Sequence, residues 1–502
     1  MKKLTTLALA AAMVMGAATC ASAVDFKAKG QWQFGFAAGD STMTEKTNGS
    51  HTDTNDIFKA RQRVRLQLDA VASEALSGTV FFEIGHQNWG KGSDGGAMGA
   101  DGTVVKVRQA YLDWIVPQTD LKIRMGLQNI SLPNAVGSGN VLHNTDTAAI
   151  VASYQFNENV GLTAMWARPY NDNYGGVNGK NAQYLDNMDL FMLSLPLSFD
   201  GVQVTPWAMY GMRGKNTFGA SEYGKTGIDT VAGLGNYPFG YPGASTTAKP
   251  YGAMFWAGLP IKVTALDPIN IEFDVNYGYV EKMGRYFATR MYEGAPAYSV
   301  RANSQREGWL VKALVEYKMD WGTPGIFGWY GSGDDSNIKN GSERMPYLYA
   351  EQKLTSLVGE DVAYTGGYTD LKLSLDGSWG IGLQVKDLSF MEDLKHTLRV
   401  AYYGGTNDRK MARYASAFNE VNGGFNAGAP WQSNKKDLYL TEKDSILEFN
   451  VNTYYQIYEN LKMGLELAYA VNMMDNDTWD HAGNSYSKQD MWSADLTFTY
   501  SF

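Results

Sequence analysis

Four basic residues occupy alternate positions in one short segment of the sequence. They are Lys59, Arg61, Arg63 and Arg65. In an extended strand alternate side chains share a face, so these cations would form a basic ladder about 20 Å long at roughly 3.3 Å per residue. Arginine stays charged at physiological pH, and its guanidinium fork fits carboxylate, sulfate or phosphate. The spacing predicts contact with anions along a strand. The alternative is that the arginines pair with nearby acids such as Asp69 or Glu83.

No catalytic constellation accompanies the basic ladder in the sequence. A hydrolase needs His beside Ser or Asp in a fixed geometry, but the histidines fall in predicted loops or at strand ends, far apart in sequence. They are His51, His86, His143, His396 and His481. The acidic run from Gly331 to Asp335 lacks the Lys and helix of a phosphate loop, and we interpret it as a solvated loop rather than a Ca²⁺ site. We predict no enzyme activity, no cofactor, no metal and no nucleic-acid partner.

The first 23 residues have the layout of a secretory signal peptide. Lys2 and Lys3 precede an apolar run, and the triplet 21–23 is Ala-Ser-Ala. The apolar run is shorter than the roughly 20 residues that span a bilayer. The only cysteine, Cys20, falls inside this segment, so the mature chain from Val24 would hold no thiol. A lipoprotein reading, with Cys20 as the first mature residue, is the alternative, and Thr19 before it fits that processing poorly.

Composition and the uniform sequence pattern along the chain indicate one large domain from residue 24 to residue 502. Mean hydropathy is −0.31, and aromatic residues make up 13% of the chain. No later stretch approaches 18 continuous apolar residues, which argues against a helical membrane span. We find no linker and no shift in composition. The net charge of the mature chain is about −11, but it is summed over all surfaces and says little about a lumen.

Apolar and polar residues alternate through short segments along the whole chain. In the last segment, Trp492, Ala494, Leu496, Phe498, Tyr500 and Phe502 share one parity, and Ser, Asp and Thr share the other. A strand between lipid and water requires this alternation. A soluble sandwich also alternates, but it has no reason to alternate short turns with long loops over a whole chain. The pattern therefore favours an all-β, transmembrane, antiparallel up-and-down β-barrel.

Eighteen segments fit this pattern, and an even number places both termini on the periplasmic side. They are 24–37, 55–71, 76–86, 103–116, 121–128, 147–156, 160–168, 186–196, 202–212, 250–263, 269–280, 305–318, 325–331, 370–386, 396–404, 444–457, 461–472 and 488–502. Parity breaks within 103–116, which suggests a bulge. Segment 325–331 is short and 370–386 is rich in glycine, so sixteen strands is the alternative.

The leader, the alternation over the whole chain and the aromatic C-terminal strand resemble the general trimeric outer-membrane porins. The opening and the Gly-rich loops are most similar to the homotrimeric porins of sulfate-reducing bacteria. This resemblance implies a homotrimer that contacts outer-membrane lipid and lipopolysaccharide, and a C-terminal signal for the barrel assembly machinery. The signal residues would be Phe498, Tyr500 and Phe502. Residues 90–102 would be a latch over a neighbouring subunit or, alternatively, a mobile surface loop.

The resemblance also implies a pore constriction, in which a loop folds into the barrel and faces the basic ladder. Residues 129–146, after the fifth segment, match this loop in position, and Lys122 and Arg124 would face inward beside it. The loop departs in charge, because Asp146 is its only acid. We therefore predict a porin for passive diffusion of small hydrophilic solutes and ions that is weakly anion-preferring or nearly unselective. The alternative is a substrate-specific channel for small organic acids or oxyanions. A plug-containing transporter is disfavoured because the alternation begins at Val24.

Overall fold

The structure of the chain, a computed structural model, describes residues 24–40, 43–46, 56–99, 102, 105–171, 187–214, 217, 246–247, 249–292, 295–350, 352–358, 373–415, 438–480 and 486–502. The predicted leader, residues 1–23, lies outside this described part, as do parts of several connections between strands. Cleavage after residue 23 and the absence of a mature thiol therefore stay predictions.

Eighteen antiparallel strands form one closed sheet in which consecutive strands are neighbours. In order, β1 to β18 span Asp25–Asp40, Asp56–Ser73, Leu76–Asn88, Val105–Ile115, Lys122–Ile130, Thr145–Gln155, Gly161–Tyr170, Met188–Ser194 with Leu197–Phe199, Val202–Val204 with Trp207–Gly214, Tyr251–Val263, Ile269–Val280, Arg306–Tyr317, Thr323–Gly331, Ser378–Met391, Leu394–Gly405, Ser445–Tyr458, Leu461–Asn472 and Met491–Ser501. Strands β8 and β9 are interrupted near Pro196 and Pro206, because proline has no N–H to donate to a neighbour. The predicted barrel of 18 strands is confirmed, and the sixteen-strand alternative is wrong.

The first strand closes the barrel by pairing on both sides. β1 pairs with β2 along its whole length and with β18 from Gln31–Ser501 to Gly39–Ser493. Two backbone hydrogen bonds extend this seam to the last residue: Gly30 N–H donates to Phe502 O at 2.9 Å, and Phe502 N–H donates to Gly30 O at 3.0 Å. Closure removes the sheet edges, which is what a lipid environment demands of a spanning sheet.

We predict that deletion of Phe502 lowers the yield of assembled barrel. The deletion removes both terminal hydrogen bonds of the seam, worth about 1–3 kcal/mol together, and the ring that stacks on Tyr500 at 6.1 Å between centroids. The measurement is the heat-modifiable fraction in outer-membrane preparations. Phe502→Tyr is the control, since it keeps the ring and the backbone. An unchanged fraction after loss of the last three residues would contradict the prediction.

The outside of the barrel is apolar and the inside is polar or covered. On β14, Leu383 is 64% exposed while its neighbour Gln384 is 7% exposed, which is the alternation expected of a lipid-facing strand. Aromatic side chains lie near the extracellular ends of the strands, where the Tyr277 ring contacts Trp309 at a tilt and Trp379 contacts Tyr402 edge-on. An outward apolar surface with an aromatic girdle on a closed barrel identifies a transmembrane β-barrel of the outer membrane. In the described residues, no helix is long and apolar enough to cross a membrane.

Short turns join strands at the end that carries both termini, and long connections lie at the other end. The break in parity within 103–116 is a bulge, as expected: Phe81 pairs with Gln109 and Phe82 with Val107, so Arg108 is the extra residue. The predicted start of the segment 370–386 is wrong. β14 begins at Ser378, because Gly377 with φ 77° makes a turn before it. A hairpin of Gly284–Tyr292 with Ala295–Asn303, which the predicted segments did not include, occupies the connection between β11 and β12.

Candidate pore constriction

The basic ladder lies on the inner face of β2, as predicted. Lys59 pairs across the sheet with the buried, inward-facing Ala37, and the three arginines follow toward the periplasm. Arg61 is buried, with Nη1 3.5 Å from Nε2 of His86. Arg63 donates from Nε to Gln33 Oε1 at 2.7 Å, and Arg65 donates from Nε to Glu83 Oε2 at 3.0 Å. The four cations therefore share one face of the wall, and Arg65 has an acidic partner.

A fifth cation, Arg108, joins the ladder through the bulge in β4. A bulge re-aims side chains by placing two residues opposite one. Arg108 points into the lumen, contacts Glu83 at 3.4 Å and Asp146 at 2.7 Å, and lies 5.9 Å above the Phe81 ring. Its neighbour Gln109 donates to the same Asp146 at 2.8 Å. Sequence reasoning did not include Arg108 among the site residues, although the break in parity was the signal that could have found it.

The four residues of the basic ladder and Arg108 together form what we call the basic wall. Two carboxylates, Glu83 and Asp146, accompany these five cations. Glu83 contacts Arg65, Arg63 and Arg108 at 3.0, 3.8 and 3.4 Å. The alternative of arginines paired with wall acids is therefore observed for Glu83. It is wrong for Asp69, which accepts hydrogen bonds from Gln67 and Thr79 instead. Charge-assisted pairs of this kind fix the arginine forks in place, and the wall keeps an excess of positive charge.

Lys122 and Arg124 do not join the basic wall. They line a cavity of about 680 Å³ at the periplasmic end of the lumen, together with Asp113 and Gln128. Arg124 makes a bidentate pair with Asp113, at 2.6 and 2.8 Å, and lies 4.2 Å above the Tyr111 ring. The two predicted inward residues thus face the lumen in a periplasmic vestibule, away from the ladder.

The connection 131–144, named here the first inserted loop, enters the barrel and crosses to the wall at β9, β11 and β12. Its backbone contacts Asp274 on β11 and Lys312 on β12, and Trp207 Nε1 donates to Pro133 O at 3.1 Å. Apolar side chains from the loop pack with Met and Trp side chains on the inner face of the strands. Asp146, placed in this loop by the sequence prediction, is instead the second residue of β6 and belongs to the basic wall.

A second inserted loop, 332–377, was not predicted. In its described part, Leu348 N–H donates to Val141 O at 2.9 Å, and His143 N–H donates to Tyr349 O at 2.8 Å, so the two loops join through their backbones. Further along, Leu357 N–H donates to Glu448 on β16 at 3.0 Å. This long connection gave no sequence signal for insertion, because part of its contacts are made by backbone atoms and the rest by short side chains such as Thr355 and Ser356.

The joined loops form a partition between β5 and β16, and the end of the first inserted loop leads into the basic wall through neutral polar groups. Asn144 accepts a hydrogen bond from Asn129 at 3.1 Å, and Asn129 reaches Asp146. Inward side chains behind the partition are almost fully buried, with Asp274 and Lys312 each 1% exposed. The side chains of Arg63, Arg65 and Arg108 keep 16–22% of their surface exposed. The accessible fixed charge of the basic wall is therefore mainly positive.

No protein-family model and no curated protein matches this sequence. Among solved structures, the chain is similar to a BenF-like porin from Pseudomonas fluorescens Pf-5, with 8% identity over 96% of this chain and 100% of that chain and a TM-score of 0.49. It is similar to OccAB2 of Acinetobacter baumannii, with 11% identity over 96% and 99% of the two chains and a TM-score of 0.49. It is also similar to the outer membrane protein opdK of Pseudomonas aeruginosa, with 10% identity over 95% and 98% and a TM-score of 0.48. Identities and TM-scores of this size say nothing about what this barrel transports.

Above the partition, the extracellular connections pack around Asp334, which contradicts the expectation of a solvated acidic loop. Asp334 is buried and accepts hydrogen bonds from Ser342 Oγ at 2.6 Å and Tyr439 Oη at 2.8 Å. Burial raises the pKa of Asp334 to about 7, and the two hydroxyls and Arg306 offset part of that rise. Glu343, the nearby acid, raises the pKa further.

We call the extracellular connections that pack around Asp334, Ser342 and Tyr439 the extracellular cap. We predict that the stability of this cap falls as pH rises toward 7. The pKa of Asp334 in the folded cap lies above its ordinary value of 3.8, so protonated Asp334 stabilises the folded cap. This stabilisation is fully present below about pH 4 and is lost as pH rises to about 7. Asp334→Asn should remove this dependence and protect the cap from proteolysis at pH 8. Asp335→Asn, a change at the exposed neighbour, is the control. Equal cleavage ratios of wild type to Asp334→Asn at pH 5 and pH 8 would contradict the prediction.

Proposed function

We propose that this protein is an outer-membrane porin whose water-filled lumen passes small hydrophilic solutes and ions by diffusion, with a preference for anions. The observation that carries the proposal is the basic wall, which sets five cations and two carboxylates beside the first inserted loop, a stretch that contains no Asp, Glu, Lys or Arg. Low-dielectric walls focus the field of fixed charges into a narrow lumen. Charge rings of one sign are a recognised source of ion selectivity in channels.

Reconstitution in planar bilayers tests this proposal. Purified heat-modifiable barrels should give discrete conductance steps, and in a KCl gradient the reversal potential should lie on the chloride side. The preference should weaken as salt rises, because the screening length falls from about 10 Å at 0.1 M to about 3 Å at 1 M. A reversal potential on the potassium side at low salt would refute the anion preference and leave the channel itself intact.

A substrate-specific channel for small organic acids or oxyanions is the second candidate. One observation favours it: Glu83 shows how a carboxylate is held between Arg65 and Arg108, at 3.0 and 3.4 Å. A solute carboxylate that replaced Glu83 at these forks would bind with charge-assisted hydrogen bonds. A specific channel would show saturable block of chloride current by monocarboxylates but not by neutral solutes of equal size. A general porin would show only a size limit.

A homotrimer belongs to the same proposal and rests on the resemblance to the homotrimeric porins of sulfate-reducing bacteria. Next to the predicted latch, Trp89 packs edge-on against Phe36 on the outer surface at 5.4 Å, and within the latch Met98 is fully exposed. Exposed apolar side chains of this kind suit contact with another subunit. A native mass of one subunit in mild detergent would refute the trimer.

A further inference from the structure

We propose that Asp274 and Lys312 are positioning residues that hold the first inserted loop across the lumen and so set the width of the pore. The inference rests on the proposed function, since width matters only in a conducting barrel. The two side chains come from neighbouring strands, β11 and β12, where they are register partners. Both point inward, and Nζ of Lys312 lies 3.6 Å from Oδ2 of Asp274.

Asp274 binds the loop as an acceptor of backbone N–H groups. Its two oxygens accept from Ala135 N–H at 2.9 and 3.1 Å, and Oδ2 accepts from Val136 N–H at 2.7 Å. A carboxylate that receives two consecutive amides fixes the direction of the chain at that point. An isolated carboxylate this deeply buried would be strongly unfavourable, and these bonds together with Lys312 offset that cost.

Lys312 binds the same stretch as a donor to backbone carbonyls. Its ammonium group donates to Val136 O and, at 2.8 Å, to Ser138 O. Asp274 therefore accepts from the N–H groups of the loop, and Lys312 donates to its carbonyls. The backbone of residues 135–138 thus requires an acid on β11 and a base on β12. A buried ion pair that contacted only itself could exchange its two charges between the strands. This pair could not, and that difference makes the inference testable.

The strands also offer a control pair, which is less buried than Asp274 and Lys312. Lys262 on β10 and Glu272 on β11 form an ion pair at 2.8 Å, two residues from Asp274 on the same inner face. Glu272 also accepts from Asn270, and in the described residues no hydrogen bond or ion pair joins either member to the loop. Removing both partners of a pair avoids leaving one buried charge without its counter-ion, which would destabilise the barrel by itself.

The experiment compares paired variants in bilayers after their assembly is checked by heat-modifiability. Asp274→Ala with Lys312→Ala should raise single-channel conductance by about two-fold or more, add current noise and admit solutes that the wild type excludes, because pore-lining dimensions set conduction. The reversed pair, Asp274→Lys with Lys312→Asp, should behave like the alanine pair. It places an ammonium group opposite the N–H groups of the loop and a carboxylate opposite its carbonyls, so neither can form a hydrogen bond. Lys262→Ala with Glu272→Ala and the reversed control pair should keep wild-type conductance.

Wild-type conductance and solute cut-off in the alanine pair would overturn the inference, and so would rescue by the reversed pair. If the reversed pair does not assemble, the alanine pair decides. Equal increases in the control pair would show a general loosening of the wall and would also overturn it. Failure of the wild type to conduct at all would instead refute the proposed function, so the two failures are distinguishable.

Discussion

Replacing Arg61, Arg63 and Arg65 together by Gln is expected to abolish most of the anion preference. The change leaves Lys59 and Arg108 facing Glu83 and Asp146, so an excess of three positive charges falls to zero, and Arg108 still pairs with Glu83. The outer face of β2 is untouched, and the barrel should assemble normally. Since potentials in such clefts reach several kT, the anion-over-cation permeability ratio should fall roughly three- to tenfold at low salt.

The measurement for this triple variant is the reversal potential in a KCl gradient at several ionic strengths. The shift toward cations should be largest at low salt, where screening is weakest. The control is the triple Arg→Lys variant, which keeps the charges and loses the guanidinium forks, so its reversal potential should stay near that of wild type. A Gln variant that matches wild type would show that these arginines only support the wall and that selectivity arises elsewhere.

Leu383→Arg should destabilise the barrel by about 2–4 kcal/mol relative to Leu383→Met, because the side chain faces lipid near the middle of β14. The outward neighbours Ile326 and Val400, with which Leu383 pairs, are apolar and exposed as well, so the arginine has no partner within reach. Methionine keeps the volume and the apolar surface.

Equilibrium unfolding in urea from lipid vesicles measures this difference. The loss in free energy of unfolding relative to wild type should be several times larger for Leu383→Arg than for Leu383→Met. Equal free energies of unfolding for the two variants would mean that this face contacts water, which would contradict the transmembrane assignment.

The strands were predictable from sequence because a lipid-exposed wall imposes a strict two-residue period. All eighteen predicted segments correspond to strands, and β11 and β17 match in both bounds. The prediction failed where backbone geometry overrides the pattern. A turn that includes Gly377 falls within the expected segment 370–386, so β14 begins only at Ser378. The hairpin after β11 lies outside the wall, where no lipid enforces alternation.

The site was predictable only in part, for a related reason. The strand period identified the basic ladder, but a bulge adds Arg108, and a change of parity alone does not say which residue is the extra one. Entry of the first inserted loop was proposed from its position after β5. Across the lumen, backbone N–H groups of the loop donate to Asp274 and a backbone carbonyl accepts from Lys312, and such backbone contacts carry no sequence signature in the loop.

Single-channel recording of the wild-type barrel at low salt tests the central claim most directly, that this barrel encloses an open lumen bounded by a basic wall. Heat-modifiable protein in a KCl gradient should give stable, discrete conductance steps that reverse on the chloride side. Assembled barrels that insert into the bilayer and pass no current would contradict the claim.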